Sequence, residues 1–200
     1  MCIRDRDKLA EFEKALVNHK SDETWWQNFF ENNKWIFGYG LDYQIIKQEE
    51  AQPHYGGTKV DGTGDQKGDY LASTQGDINF VVLVEIKTPD TKLLQGSKEI
   101  RRGAWSLSKD LPDALVQIEA NIHTWDKQGS VQPSNLDRFE GQGVYTVQPK
   151  GIIIIGSLSE LNDRNKRETF QRFRKSIHGV DIITFDELYH RAKFIIDHSE

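Results

Sequence analysis

The stretch Phe80-Val81-Val82-Leu83-Val84-Glu85-Ile86-Lys87 sets an acid and a base at the end of an otherwise apolar, β-forming run. Successive strand side chains alternate faces, so Glu85 and Lys87 point one way while Phe80, Val82, Val84 and Ile86 point the other. A charged pair at the end of a core-type strand is costly unless something uses it. Upstream, Asp69-Tyr70-Leu71-Ala72-Ser73 reads as the partner strand of a hairpin, with Gln75-Gly76-Asp77 as its turn. That pairing places Asp69 opposite Glu85 on the same face, and three functional groups converge at one end of the hairpin.

Two hundred residues with 36% hydrophobic content can bury one good core, so one main domain is expected. The one long apolar run, Gly151-Ile152-Ile153-Ile154-Ile155-Gly156, is far too short to span a bilayer, and Met1-Cys2-Ile3-Arg4-Asp5-Arg6 has no apolar signal region. The single cysteine, Cys2, excludes an internal disulfide framework and fits a reducing, cytoplasmic setting. The abrupt start reads as that of a fragment whose upstream region is missing. A formal net charge of −5 argues against a general nucleic-acid binder. Between Asn162 and Lys175, however, six cations (Arg164, Lys166, Arg167, Arg172, Arg174 and Lys175) face only Asp163 and Glu168. A solvated helix face is the favoured reading of that run over a phosphate-contacting stripe.

Hydrophobic spacing predicts a short amphipathic helix over Arg4–His19, with Leu9, Phe12 and Leu16 on one side. Ser21 or Asp22 caps a second helix, whose Trp25, Trp26, Phe29 and Phe30 form core and whose Glu23, Gln27 and Glu31 fall on one line. Leu41–Gln48 reads as a first strand. Residues 52–68 carry five glycines and read as a flexible loop. Gly62-Thr63-Gly64 there lacks the ending of a phosphate loop. Asp61, Thr63, Asp65 and Asp69 fail as a calcium loop, because position twelve is Ala72. Thr88-Pro89-Asp90 stops the motif strand. A helix over Leu111–Lys127 follows, with Leu115, Ile118, Ile122 and Trp125 on its apolar side. Residues 129–143, rich in Gly, Gln, Ser and Pro, read as a disordered or variable loop. Ile152–Ile155 and Val180–Thr184 are buried strands, and Phe185–Asp197 is a closing helix. The order α-α-β-(β-β)-α-β-α-β-α makes an α/β sandwich around a mixed sheet.

Two carboxylates facing one point suit a hard divalent cation such as Mg²⁺, which takes one or two carboxylates plus waters and substrate phosphates. Such an ion polarises a phosphoryl oxygen and lowers the pKa of a bound water. Lys87, two residues along the strand from Glu85, can offset transition-state charge and stays protonated beside two acids. Metal-assisted phosphodiester hydrolysis fits this trio. A surface Glu–Lys ion pair is the plainer alternative.

The same residues resemble the PD-(D/E)xK nuclease superfamily, with Asp69 at the end of one strand and Glu85-Ile86-Lys87 on the next. Over most of its length the chain is similar to the nuclease domain of the Shedu antiphage defence family. The likeness runs through Trp26-Gln27-Asn28-Phe29-Phe30-Glu31-Asn32, Trp35-Ile36-Phe37-Gly38, Gly68-Asp69-Tyr70 and Val84-Glu85-Ile86-Lys87-Thr88-Pro89-Asp90-Thr91. It continues through Leu107-Ser108-Lys109-Asp110-Leu111 to Gln117, then Lys150-Gly151-Ile152-Ile153-Ile154-Ile155-Gly156 and Ile183-Thr184-Phe185-Asp186-Glu187-Leu188.

The resemblance implies a restriction-endonuclease-like fold and a divalent-metal-dependent DNA endonuclease acting in bacterial immunity. Homo-oligomers and a variable sensing region upstream are implied with it. It makes Asp69 and Glu85 ligands of Mg²⁺ or Mn²⁺, Lys87 the catalytic lysine, and Gln117 a supporting residue. The Gln-x-x-x-Tyr motif of RecB-type nucleases is incomplete here, because position 121 is Asn, so a buried helix Gln is the alternative for Gln117. An acid of the first nuclease helix often joins the metal shell; Glu23 is the first candidate and Glu31 the second, with a solvated helix stripe as the alternative for both. Residues 1–20 are then a helix left from the upstream region and 21–200 the nuclease domain. RNA in place of DNA, a non-catalytic binding or assembly module of the same fold, and a restriction or repair nuclease outside defence stay open.

Overall fold

The computed structural model describes residues 3–37, 46–51, 54–56, 66–67, 69–74, 78–96 and 99–198. In chain order these form α1 (Ile3–Asn18), α2 (Glu23–Asn32), β1 (Ile46–Ala51), β2 (His54–Gly56), β3 (Gln66–Lys67), β4 (Tyr70–Thr74) and β5 (Asn79–Ile86). There follow β6 (Leu94–Gln95), β7 (Ser106–Leu107), α3 (Asp110–Thr124), α4 (Pro133–Glu140), β8 (Val144–Ile154), α5 (Arg164–Ser176), β9 (Val180–Ile183) and α6 (Phe185–His198). The principal sheet has the order β1-β4-β5-β8-β9. β1, β4 and β5 run antiparallel, whereas β8 and β9 continue the sheet in parallel, so the expected mixed α/β sheet flanked by helices is present. No helix among the described residues is long and apolar enough to cross a membrane.

Strand alternation divides the core. Val82, Val84 and Ile86 face α1, α2 and α6, where Phe12, Trp26 and Phe30 are buried together. Phe12 meets Trp26 and Phe30 edge-on, with ring centroids 5.3 and 5.7 Å apart, the arrangement that aromatic quadrupoles favour. Each fully buried ring contributes roughly 1.5–3 kcal/mol, so this aromatic group does more to seat α2 than its intrinsic helix preference can. Asp22 caps α2 by accepting from the Trp25 amide, as its sequence position predicts. On the other face α3 and α5 cover Ile153, Ile155 and Ile182. Gly151 lets α3 come close: a Cβ there would stand 3.0 Å from Val180 Cγ2 and 3.1 Å from Ile118 Cδ1.

Several boundaries differ from the expectation. Residues 129–143 are not a simple loop. The chain continues from α3 as one wide turn over Trp125–Gly129, and α4 follows with Pro133 in its first turn. Pro suits that place because the amide it lacks has no helical partner there, and the fully buried Phe139 anchors the helix edge-on against Trp125. β8 begins at Val144 rather than Ile152. Its first half alternates buried Val144 and Thr146 with exposed Tyr145 and Val147, a half-buried pattern outside the continuous apolar run. β1 starts at Ile46, and Leu41 to Gln44 together with Ile45 lie outside the described residues. Of 52–68, only β2 and β3 are described, so Asp61, Gly62, Thr63, Gly64 and Asp65 lie outside as well, as does the turn Gln75-Gly76-Asp77.

Candidate active site

β5 carries Glu85 on the face that α3 covers, and the side chain is only 2% exposed. Lys87 leaves the strand one step later but keeps its amide paired to Ile154 O at 2.8 Å, so its position stays fixed by the sheet. Its ammonium donates to Glu85 Oε1 at 2.7 Å and to Gln117 Oε1, one turn before Asn121 on α3, at 3.1 Å. The register Tyr70↔Val84 carried one residue further sets Asp69 across from Glu85. Asp69 Oδ2 accepts from the Ile86 amide at 2.6 Å, in the place a ladder hydrogen bond would take. Its Oδ1 accepts from Gln27 Nε2 of α2, also at 2.6 Å. The Tyr70 hydroxyl donates to the main-chain carbonyl of Gln27.

The electrostatics follow from burying two acids beside one base. Burial first, and the Glu85 charge second, push the Asp69 carboxyl up to about 7, against the stabilising Ile86 amide. Glu85 is likewise raised by its own burial, which outweighs the Lys87 charge and hydrogen bond. Burial works to lower Lys87, but Glu85 overrides it and the lysine is held more firmly protonated than usual. The charge of Glu23, in the first turn of α2, acts on Asp69, Glu85 and Lys87 alike. Glu31 acts instead on Tyr70, two turns further along the helix.

The structure thus brings Asp69, Glu85, Lys87 and Gln117 together, sets Glu23 within electrostatic reach, and leaves Glu31 by Tyr70. Gln27 is the contact that the sequence reading did not assign. Its one signal was its place on the line Glu23-Gln27-Glu31.

A cleft of about 430 Å³ opens onto Lys87 and Gln117 and is bounded by Asp90, Thr91, Lys92, Asp110, Asp113 and Ala114. The turn after Lys87 is braced: Asp90 accepts from the Thr88 hydroxyl at 2.6 Å and the Ser21 hydroxyl at 2.5 Å. Among the described residues no three of His, Cys, Asp and Glu gather into a ready metal cage. The donor set nonetheless suits a hard cation. Asp69 and Glu85 supply carboxylate oxygens, each Asp69 oxygen keeps an accepting lone pair beyond its one hydrogen bond, and the nearby acids outnumber Lys87.

A family model described as Shedu protein SduA, C-terminal, matches residues 20–189. The chain is 30% identical over 193 residues to the Shedu protein SduA of Bacillus cereus (strain B4264), a match that covers 94% of this chain and 49% of that protein. The chain therefore spans about half the length of this curated relative.

Proposed function

The chain belongs to the Shedu family of antiphage defence proteins, and from that premise we propose that it is a divalent-metal-dependent nuclease of the PD-(D/E)xK fold that cleaves DNA. The observation that carries this reading is the half-buried Asp69 set beside the buried Glu85 at the ends of adjacent strands, with Lys87 donating to Glu85 at 2.7 Å. A chain that withdraws two neighbouring acids from water, Glu85 wholly and Asp69 in part, bears a standing cost, which a bound divalent ion would offset.

Asp69 and Glu85 would hold Mg²⁺ or Mn²⁺, with Glu23 the third acid toward it. Such an ion polarises a phosphoryl oxygen and makes a water more acidic. The remaining chemistry belongs to the chain's own side chains. Glu85 keeps Lys87 charged at the cleft wall, where the ammonium can meet a phosphate oxygen as negative charge builds there. Gln117 accepts from the same ammonium and thereby limits its rotation. Burial of Glu85 keeps bulk water from screening the pair. A homo-oligomer, a cytoplasmic location and a sensing region elsewhere in the whole protein belong to the same proposal.

The test is cleavage of supercoiled plasmid by purified protein with Mg²⁺, Mn²⁺ or EDTA, together with an RNA of matched length. Cutting that needs the metal, and falls roughly 10²–10³-fold in each of Asp69→Asn, Glu85→Gln and Lys87→Met while the melting transition is kept, supports the reading. Metal-independent cutting, or full activity in the three variants, overturns it. DNA binding indifferent to EDTA with no cutting at all would mark a binding module instead.

A further inference from the structure

Other polar clusters of the fold have plain architectural work. Glu160 accepts from the amides of Leu93 and Leu94, and Arg174 forks onto Glu187. Gln27 differs, because its backbone and its side chain contact two consecutive residues, Tyr70 and Asp69, for separate ends. Its carbonyl accepts from the Tyr70 hydroxyl, and that bond by itself ties α2 to β4. Its amide then crosses to Asp69 Oδ1 at 2.6 Å, a contact the helix does not need for docking.

We propose that Gln27 is the positioning residue of the Asp69 carboxylate, fixing the plane in which that acid presents its oxygens to a divalent cation; the inference rests on the metal-dependent reading above. Asp69 precedes β4 and its terminal torsion is intrinsically broad, with no strong rotamer wells to hold it. One donor, the Ile86 amide, fixes one oxygen and leaves the carboxylate free to turn about that contact. A second donor from a different element removes that freedom. The lone pairs left on both oxygens then keep one direction.

The neutral amide is part of the device. A lysine or arginine in its place would form an ion pair with Asp69 and compete with a cation for the same charge. Gln27 restrains the acid without neutralising it. Supporting partners of this kind typically alter metal affinity 10- to 100-fold when removed.

Two variants separate positioning from scaffolding. Gln27→Met keeps the volume and loses the donor; Gln27→Lys keeps a donor and adds a charge. Mn²⁺ binding by calorimetry is expected to weaken ~10–100-fold in both. Hydrogen exchange at the Ile86 amide, read in the metal-free protein, is expected to quicken in Gln27→Met and to stay slow in Gln27→Lys. Mn²⁺ affinity of Gln27→Met within twofold of the parent, or unchanged Ile86 exchange, overturns the proposal, and a lowered melting temperature with neither change marks a scaffold. Should Gln27→Met fail to fold, full Mn²⁺ affinity in Gln27→Lys overturns it alone. A parent protein that binds no Mn²⁺ overturns the metal-dependent reading, and Ile86 exchange then decides whether Gln27 holds Asp69.

Discussion

Lys87 Nζ, just past the end of β5, stands 2.7 Å from Glu85 Oε1 two residues before it, with Glu85 almost wholly buried and Lys87 about one-fifth exposed. The pair is asymmetric: the acid bears most of the burial cost and the base keeps its contact with the cleft. Glu85→Gln removes the buried charge, keeps an acceptor for Lys87 and relieves repulsion with Asp69. Because Lys87 is partly exposed and keeps an amide acceptor, it is not left as an unpaired buried charge, and the metal-free protein is expected to stay within about 1 kcal/mol of the parent while cleavage is lost. Urea melts in EDTA beside a plasmid assay measure both, and a large loss of stability would contradict this view of Glu85.

A second expectation concerns pH. Asp69 is raised from 3.8 to about 7, so between those values the folded chain holds a proton that the unfolded chain has released. Stability of the metal-free protein therefore falls as pH rises from about 4 through about 7, by an amount on the order of a few kcal/mol. Glu85, also raised, acts in the same direction. The melting temperature in EDTA should be higher near pH 5.5 than near pH 8, and Asp69→Asn should shrink that difference. Added Mg²⁺ should restore stability at the alkaline end and do little at the acid end, because the ligand must be ionised. A difference between the two pH values that Asp69→Asn leaves intact would count against Asp69 as its source.

The trio was legible in the sequence because its geometry is local. Period-two alternation fixes the shared face of Glu85 and Lys87, and a short hairpin fixes Asp69 opposite them. Gln27 lies 42 residues before Asp69 on a helix, and no periodicity says which sheet residue a helix side chain will reach. α4 escaped for a compositional reason. Its buried anchor, Phe139, sits among Gly, Gln, Ser and Pro, and its helical character depends on packing against Trp125 from the preceding turn. The first half of β8 was hidden likewise, since Thr146, Gln148, Pro149 and Lys150 interrupt the apolar run that marks Ile152–Ile154.

Gly151 controls how near α3 comes to the sheet, and with it the place of Gln117 against Lys87. Gly151→Val adds two methyls where a Cβ alone already meets Val180, Ile118 and Ile122 at 3.0–3.1 Å. The helix must shift outward, at about 1–3 kcal/mol. Cleavage should fall further than Gly151→Ala allows, with Gln117→Met giving a smaller loss on its own. Full activity in a stably folded Gly151→Val protein would separate α3 from the site.

The basic helix α5 is the last case, and its cations are for the most part engaged within the fold. Arg164 and Arg172 both reach Glu168, Arg167 donates to Leu161 O, and Lys166 lies 4.6 Å over the Trp105 ring. Arg174 makes two 2.8 Å bonds to Glu187, whose carboxylate also accepts from the Thr184 amide. Burial works against the Glu187 charge, but these donors hold its carboxyl below the usual range. Stability from Glu187 is therefore present above its ordinary pKa of 4.5 and lost as pH falls through the lowered value. Arg174→Ala should destabilise the chain by about 2–3 kcal/mol near neutral pH, with the deficit narrowing under acid conditions. The salt dependence of DNA binding should stay as in the parent, because a side chain already forked onto Glu187 releases no counterion from a phosphate. A slope reduced by about one in Arg174→Ala would instead assign this arginine to the nucleic acid.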